Sequence, residues 1–294
     1  MSDPRPLWLA DGRLAALCWG DDDSPTWLAL HGWLDNAASF SRLAPRLVER
    51  LGIRVVAIDF AGHGLSAPLQ GQGDYALWDF CHDLLDACDD LGLVRPCLLA
   101  HSMGAAVACL TAAAMPERVE RLVLFDGLGA LTTEPSDAPG QLRRGLLGHR
   151  RPLSLAPRYA DIRTAVAARV AGGVTPIDAE TAEPVVTRNL EPLADGQLGL
   201  RTDGRLLRPS PVRLSPPQAL AMLAAIECPV LLVEGDTGIL GDGEMARQAR
   251  ASVPRLERHV IVGGHHLHLE PGSAGKVADT ITAWESLSLG EASG

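Results

Sequence analysis

The chain has 294 residues, 47% of them hydrophobic, which is enough to bury a large core and exceeds most minimal binding modules. Acidic side chains outnumber basic ones by 36 to 26, for a net charge of −10, and no dense basic run interrupts that balance, which argues against nucleic acid as a partner. The longest near-apolar stretch, residues 104–115, is too short to span a bilayer, and residues 1–6 lack the basic-then-apolar pattern of a secretion signal, so a cytoplasmic protein is expected.

The first segment to look structured is 7–19, two short runs around Asp11-Gly12, a dipeptide suited to a tight hairpin turn. Apolar runs follow at 27–31, 55–59, 97–101, 122–126, 230–234 and 259–262, separated by helical stretches. Several are continuous in Val, Ile and Leu, as strands buried on both faces must be. Strands alternating with helices predict an α/β fold with a mostly parallel central sheet flanked by helices. Between about 131 and 224 the pattern breaks. More than half of the 21 prolines fall there, no buried strand is legible, and the segment carries +3 against −13 for the remainder. Its clearest helical pieces are 160–171 and 216–225, which predicts a helical cap at 131–224 inserted into a core formed by 1–130 and 225–294. A lid over a site is the natural use of such an insertion, and a packing elaboration is the alternative. The six cysteines are scattered without a CxxC pair and read as buried, reduced thiols.

The chemistry concentrates where one apolar run ends, at Leu98-Leu99-Ala100-His101-Ser102-Met103-Gly104, just before an alanine-rich helical segment. A strand feeding a helix through a serine flanked by small residues forces a sharp turn, with Ala100 and Gly104 relieving the crowding. Ser102 then stands at a helix N-terminus, where free N–H groups favour a developing negative charge. An ordinary helix-capping serine is the alternative.

On these residues the chain resembles the α/β-hydrolase superfamily. His31-Gly32-Trp33-Leu34-Asp35-Asn36 is similar to the family's oxyanion-loop motif, and Asp59-Phe60-Ala61-Gly62-His63-Gly64-Leu65-Ser66 to its next loop. The former, together with Phe125-Asp126-Gly127-Leu128-Gly129, is most similar to the serine hydrolase-like subgroup. The resemblance implies Ser102 as nucleophile and an oxyanion hole made by the backbone N–H groups of Trp33 and Met103. It also implies that Trp33 and His101 contact substrate, while Asp59, His63 and Ser66 order their loop.

The expected base lies after the last strand, in Gly264-His265-His266-Leu267-His268-Leu269-Glu270. The family's Gly-His-x-x-His-Leu-Glu pattern selects His265, with His268 in a companion position and His266 as the register alternative. Three histidines in four residues also raise a metal site, but adjacent side chains diverge and no carboxylate or cysteine cluster accompanies them, so no metal is expected. In much of the family the acid follows the strand at 230–234, three residues after a glycine, and Gly238 stands at that position here. Asp126, at the end of the preceding strand where a group of haloalkane dehalogenases places its acid, is favoured over Asp236. Serine at the nucleophile position argues against the alkyl-enzyme chemistry of epoxide hydrolases and dehalogenases. The resemblance therefore implies cofactor-free acyl transfer on a small ester-like substrate. Lactonase, thioesterase or C–C bond hydrolysis, or a silent ligand-binding homologue, are the alternatives. Oligomeric state is not legible.

Overall fold

The structure, a computed structural model, describes residues 3–172 and 175–291. Strands β1 (Arg5–Leu9) and β2 (Leu14–Trp19) form the expected hairpin, and β3 (Thr26–Leu30) precedes helix α1 (Ala44–Leu51). Strand β4 (Arg54–Ile58) leads to α2 (Asp79–Asp90), and β5 (Cys97–His101) runs directly into α3 (Met103–Ala114), followed by β6 (Arg121–Phe125). The main sheet is completed much later by β10 (Val230–Gly235) and β11 (Leu256–Ile261). Its order is β1-β2-β4-β3-β5-β6-β10-β11; β1, β2 and β4 pair antiparallel and the others parallel.

Period-two alternation sends each central strand into two separate cores. Leu28, Leu30, Val56, Ile58, Leu98, Ala100, Leu122, Leu124, Val230 and Leu232 face one layer, which includes Phe80 and Leu84 of α2 and Val107 of α3. Trp27, Ala29, Val55, Ala57, Leu99, Val123, Phe125, Leu231 and Val233 face the other, which includes Leu47 of α1 and Val277 and Ile281 of α9 (Ala274–Glu291). Strand β11 starts three residues before the run read from the sequence. It lies at the sheet edge with polar Glu257, Arg258 and His259 in it, so its first half carries no apolar signature.

The segment after β6 holds α4 (Ala138–Arg150), β7 (Arg158–Tyr159), α5 (Ile162–Gly172) and α6 (Ala179–Arg188). Strand β9 (Leu198–Leu200) pairs with both β7 and β8 (Leu190–Pro192) in a small antiparallel sheet, order β7-β9-β8, that the sequence reading did not foresee; two- and three-residue strands are too short to show a period. Ala165, Val166, Ala182, Val186 and Leu190 form a separate small core there. Helix α7 (Pro216–Ala224) departs from the expected division at 224. It packs on α3 and on α8 (Glu244–Ser252), and its Leu223 joins the main core with Leu220 packed against it, so it flanks the sheet.

The insertion is fastened to the sheet domain at buried and half-buried points. Arg188, at the end of α6, donates through Nε to both carboxylate oxygens of Asp59 at 3.1 Å, and Asn36 Nδ2 donates to Val185 O at 2.8 Å. Tyr75 donates to Asp203 Oδ2 at 2.7 Å, and Trp33 Nε1 to Leu206 O at 3.1 Å. Among the described residues no helix is long and apolar enough to cross a membrane. All six cysteines are free and five are buried; burial pushes the thiols of Cys88 and Cys109 up to about 12.

Candidate active site

The turn from β5 into α3 holds Ser102 at φ 52°, ψ −111°, a left-handed conformation that a non-glycine residue keeps only where its surroundings enforce it. Those surroundings are small residues. A Cβ on Gly104 would collide with the Leu30 carbonyl on β3, one on Gly127 would lie 2.8 Å from Ser102 N, and one on Gly32 would lie 3.3 Å from Ser102 Cβ. Ala100 is fully buried, and Ser102 N donates to Phe125 O at 3.2 Å. Backbone from three segments thus closes around the serine and leaves its hydroxyl facing the sheet's C-terminal edge.

His265 Nδ1 lies 2.6 Å from Asp126 Oδ2, and His265 Nε2 lies 3.0 Å from Ser102 Oγ. A carboxylate only accepts, so Nδ1 carries the proton and Nε2 is left to accept from the Ser102 hydroxyl. Burial pushes the His265 imidazole below its ordinary pKa, against the Asp126 hydrogen bond, which raises it; the neutral form therefore prevails at neutral pH. Asp126 is fully buried and sits at φ 41° after β6, and its Oδ2 also accepts from Ile239 N at 2.8 Å. Gly238 packs against Asp126, and a Cβ there would collide with Oδ1. Asp236 is exposed and caps Gly263 N at 3.0 Å; it does not join His265.

The N–H groups of Trp33 and Met103 have no hydrogen-bond partner among the described residues, and both belong to segments touching Ser102. Leu34 at φ 63° and a bond from Asp35 N to Gly32 O at 3.1 Å shape the Trp33 turn. Behind it, His31 Nδ1 donates to Gly32 O at 2.7 Å while Nε2 accepts from Phe60 N at 3.0 Å. Burial pushes His31 down to about 4, so it is a neutral strut. Trp33 itself is 40% exposed. In the next loop Asp59 accepts from Ala37 N at 2.7 Å and Leu65 N at 2.8 Å, and Ser66 Oγ accepts from Ala15 N at 2.9 Å; these side chains order backbone.

His101 does not stand where substrate could reach it. It is 1% exposed, and its Nε2 donates to the His265 carbonyl oxygen at 2.9 Å, so it backs the base loop. The correction has a simple cause: His101 is the last residue of β5, and period two turns it into the core while Ser102 turns out. His266 points away from Ser102 to Asp35 Oδ2 at 3.2 Å, and His268 is buried against Phe125 and Phe40.

Residues 25–272 match the alpha/beta hydrolase fold family. The chain belongs to that family. It is similar to a serine hydrolase-like protein of Dictyostelium discoideum, 33% identical over 277 residues that cover 89% of this chain and 76% of the relative. It is also similar to the crystal structure of a hypothetical protein from Pseudomonas aeruginosa PAO1, with 43% identity, a TM-score of 0.87 and coverage of 97% of this chain and 100% of the other. A thioesterase domain from the curacin biosynthetic pathway shares 25% identity and a TM-score of 0.79, over 96% of this chain and 98% of that one.

For this α/β hydrolase, the sequence reading passed over one cluster. The donor atoms of Asp35, His101 and His266 converge within 4.8 Å, all three residues being buried. A carboxylate four residues after His31 was visible, but nothing local tied it to residues 101 and 266. The group is knit by a bond between His266 and Asp35 and each member is buried, and no metal is assigned to it.

Proposed function

We propose that this α/β hydrolase is a serine hydrolase of the carboxylesterase type, acting on a small ester-like substrate through an acyl-enzyme. The observation that carries the reading is the unbroken chain Ser102–His265–Asp126, at 3.0 and 2.6 Å, on a strained strand-to-helix turn. Ser102 Oγ attacks the carbonyl carbon as its proton passes to His265 Nε2, and the unpartnered N–H groups of Trp33 and Met103 receive the oxyanion. His265 returns that proton to the leaving group. Water then attacks the acyl-enzyme, gives a proton to His265, and frees the acid while Ser102 recovers its hydrogen. Asp126 keeps Nδ1 protonated and supports the imidazolium. No cofactor enters these steps.

The insertion between β6 and α7 shapes the approach to Ser102, with Trp33 at its rim, and its positive balance beside an acidic core favours polar or acidic substrates. The likeness to a thioesterase domain keeps thioesters in the substrate panel. The test needs no substrate: intact mass after exposure to a fluorophosphonate probe, on the wild type and Ser102→Ala. One adduct on the wild type and none on the variant is expected. A folded wild type that takes no adduct, with the probe active on a control hydrolase, overturns the reading.

A further inference from the structure

Each member of the Asp35 cluster is a chain neighbour of a group used in the proposed reaction. His101 precedes Ser102, His266 follows His265, and Asp35 lies two residues after Trp33 on the oxyanion loop. Their side chains meet behind the site: His266 Nε2 lies 3.2 Å from Asp35 Oδ2, His101 Nδ1 3.6 Å from the same oxygen, and His101 Nε2 donates to the His265 carbonyl at 2.9 Å. Asp35 is 3% exposed, His101 1% and His266 2%. No solvent replaces these contacts, so the carboxylate has these histidines for counterparts. Gly32 makes room for the junction, since a Cβ there would lie 2.8 Å from His101 Nδ1.

The bond to the His265 carbonyl requires hydrogen on His101 Nε2, because a carbonyl only accepts. Nδ1 then faces the Asp35 carboxylate across 3.6 Å, too far for a hydrogen bond, and burial pushes the His101 imidazole below its ordinary pKa against the pull of that carboxylate. Burial opposes the Asp35 charge, yet His266 and His101 outweigh it and hold the carboxyl well below the usual range. The rings of His265, His266 and His268 lie 4.5, 5.0 and 4.3 Å from that of His101, so displacement of one member reaches the base directly.

We propose that Asp35 is a positioning residue for the hydrolase reaction: a second buried carboxylate that fastens the oxyanion loop, the nucleophile turn and the base loop to one another. The proposal rests on the serine hydrolase reading. Asp126 orients the base ring from one side, and Asp35 sets the backbone that carries it from the other. Because a displacement near 1 Å at a reacting group costs about 100-fold in rate, three independently hinged segments need such a common anchor.

The experiment measures two signals on Asp35→Ala, Asp35→Asn and wild type: the rate of Ser102 modification by the fluorophosphonate probe, and the downfield proton resonance of His265 Nδ1–H in its bond to Asp126. With amide spectra showing each variant folded, Asp35→Ala is expected to label about 10- to 100-fold more slowly and to lose or shift the resonance. Asp35→Asn, which keeps an oxygen for His266, is expected to lose less on both counts. With an ester substrate in hand, the loss falls on kcat and leaves KM. Unchanged labelling and an unchanged resonance in a folded variant overturn the proposal. The resonance also separates the two readings: a wild type that does not label, but whose resonance disappears in Asp35→Ala, removes the hydrolase reading and keeps the junction. If Asp35→Ala does not fold, Asp35→Asn decides: a loss on both signals supports the anchor, and wild-type behaviour overturns it.

Discussion

Gly238 and Asp126 occupy complementary halves of one space: the glycine packs against the carboxylate so closely that a Cβ on residue 238 would collide with Asp126 Oδ1. Residue 238 is where much of the family carries its acid, so the bare glycine and the aspartate on the neighbouring strand belong to one arrangement. Gly238→Ala is therefore expected to displace the Asp126 carboxylate and lower kcat by about 100-fold with little change in KM, as steady-state kinetics would show. In Asp126→Gly, adding Gly238→Asp is expected to restore at least about tenfold of the lost rate, because the new side chain starts in the vacated space. A double variant no better than Asp126→Gly would show that the position alone cannot orient His265.

Asp126→Asn keeps the shape but presents an amide to His265 Nδ1. A loss of about 10³- to 10⁴-fold in kcat is expected. Asp236→Asn, an exposed change at the Gly263 cap, is expected to stay within about twofold. Measuring both variants with one ester substrate assigns the acid, and the opposite ranking would transfer the role to Asp236.

Two buried histidines make the fold sensitive to acid. Burial pushes His31 down to about 4 and His63 down to about 3, so the folded chain keeps both neutral where the unfolded chain protonates them near 6.5. Below pH 6.5 the unfolded state binds more protons, and stability falls as pH falls. Each histidine contributes a loss on the order of 3 kcal/mol by pH 4. Denaturant midpoints between pH 7 and pH 4 check this, and His63→Asn is expected to flatten the slope.

The Arg188–Asp59 pair joins the insertion to the core with Asp59 fully buried. Arg188→Met removes the cation and leaves the carboxylate to backbone donors alone. A destabilisation of about 3 kcal/mol is expected in chemical denaturation. Limited proteolysis is expected to cut first between α4 and α7, where the freed segment opens.

Much of this protein is legible from its residues one segment at a time. Continuous Val, Ile and Leu runs give the buried parallel strands, Asp11-Gly12 gives the hairpin, and Ala100-His101-Ser102-Met103-Gly104 between a strand and a helix gives the turn that exposes Ser102. Such features depend on neighbours in the chain, so the chain reports them. Gly264-His265 was legible for the same reason, once the strand before it was placed.

What only the tertiary structure decided are relations between segments far apart in sequence. Whether Asp126 or Asp236 meets His265 depends on how β6 and β10 lie side by side and on the room Gly238 leaves, neither of which a local pattern encodes. His101 turned inward because its strand is central, and α7 joined the main core because its apolar face found α3 and α8. Asp35 shows the limit most clearly: an unremarkable carboxylate in a loop acquires its role only when residues 66 and 231 positions away fold against it, since its proton and its charge are set by those partners.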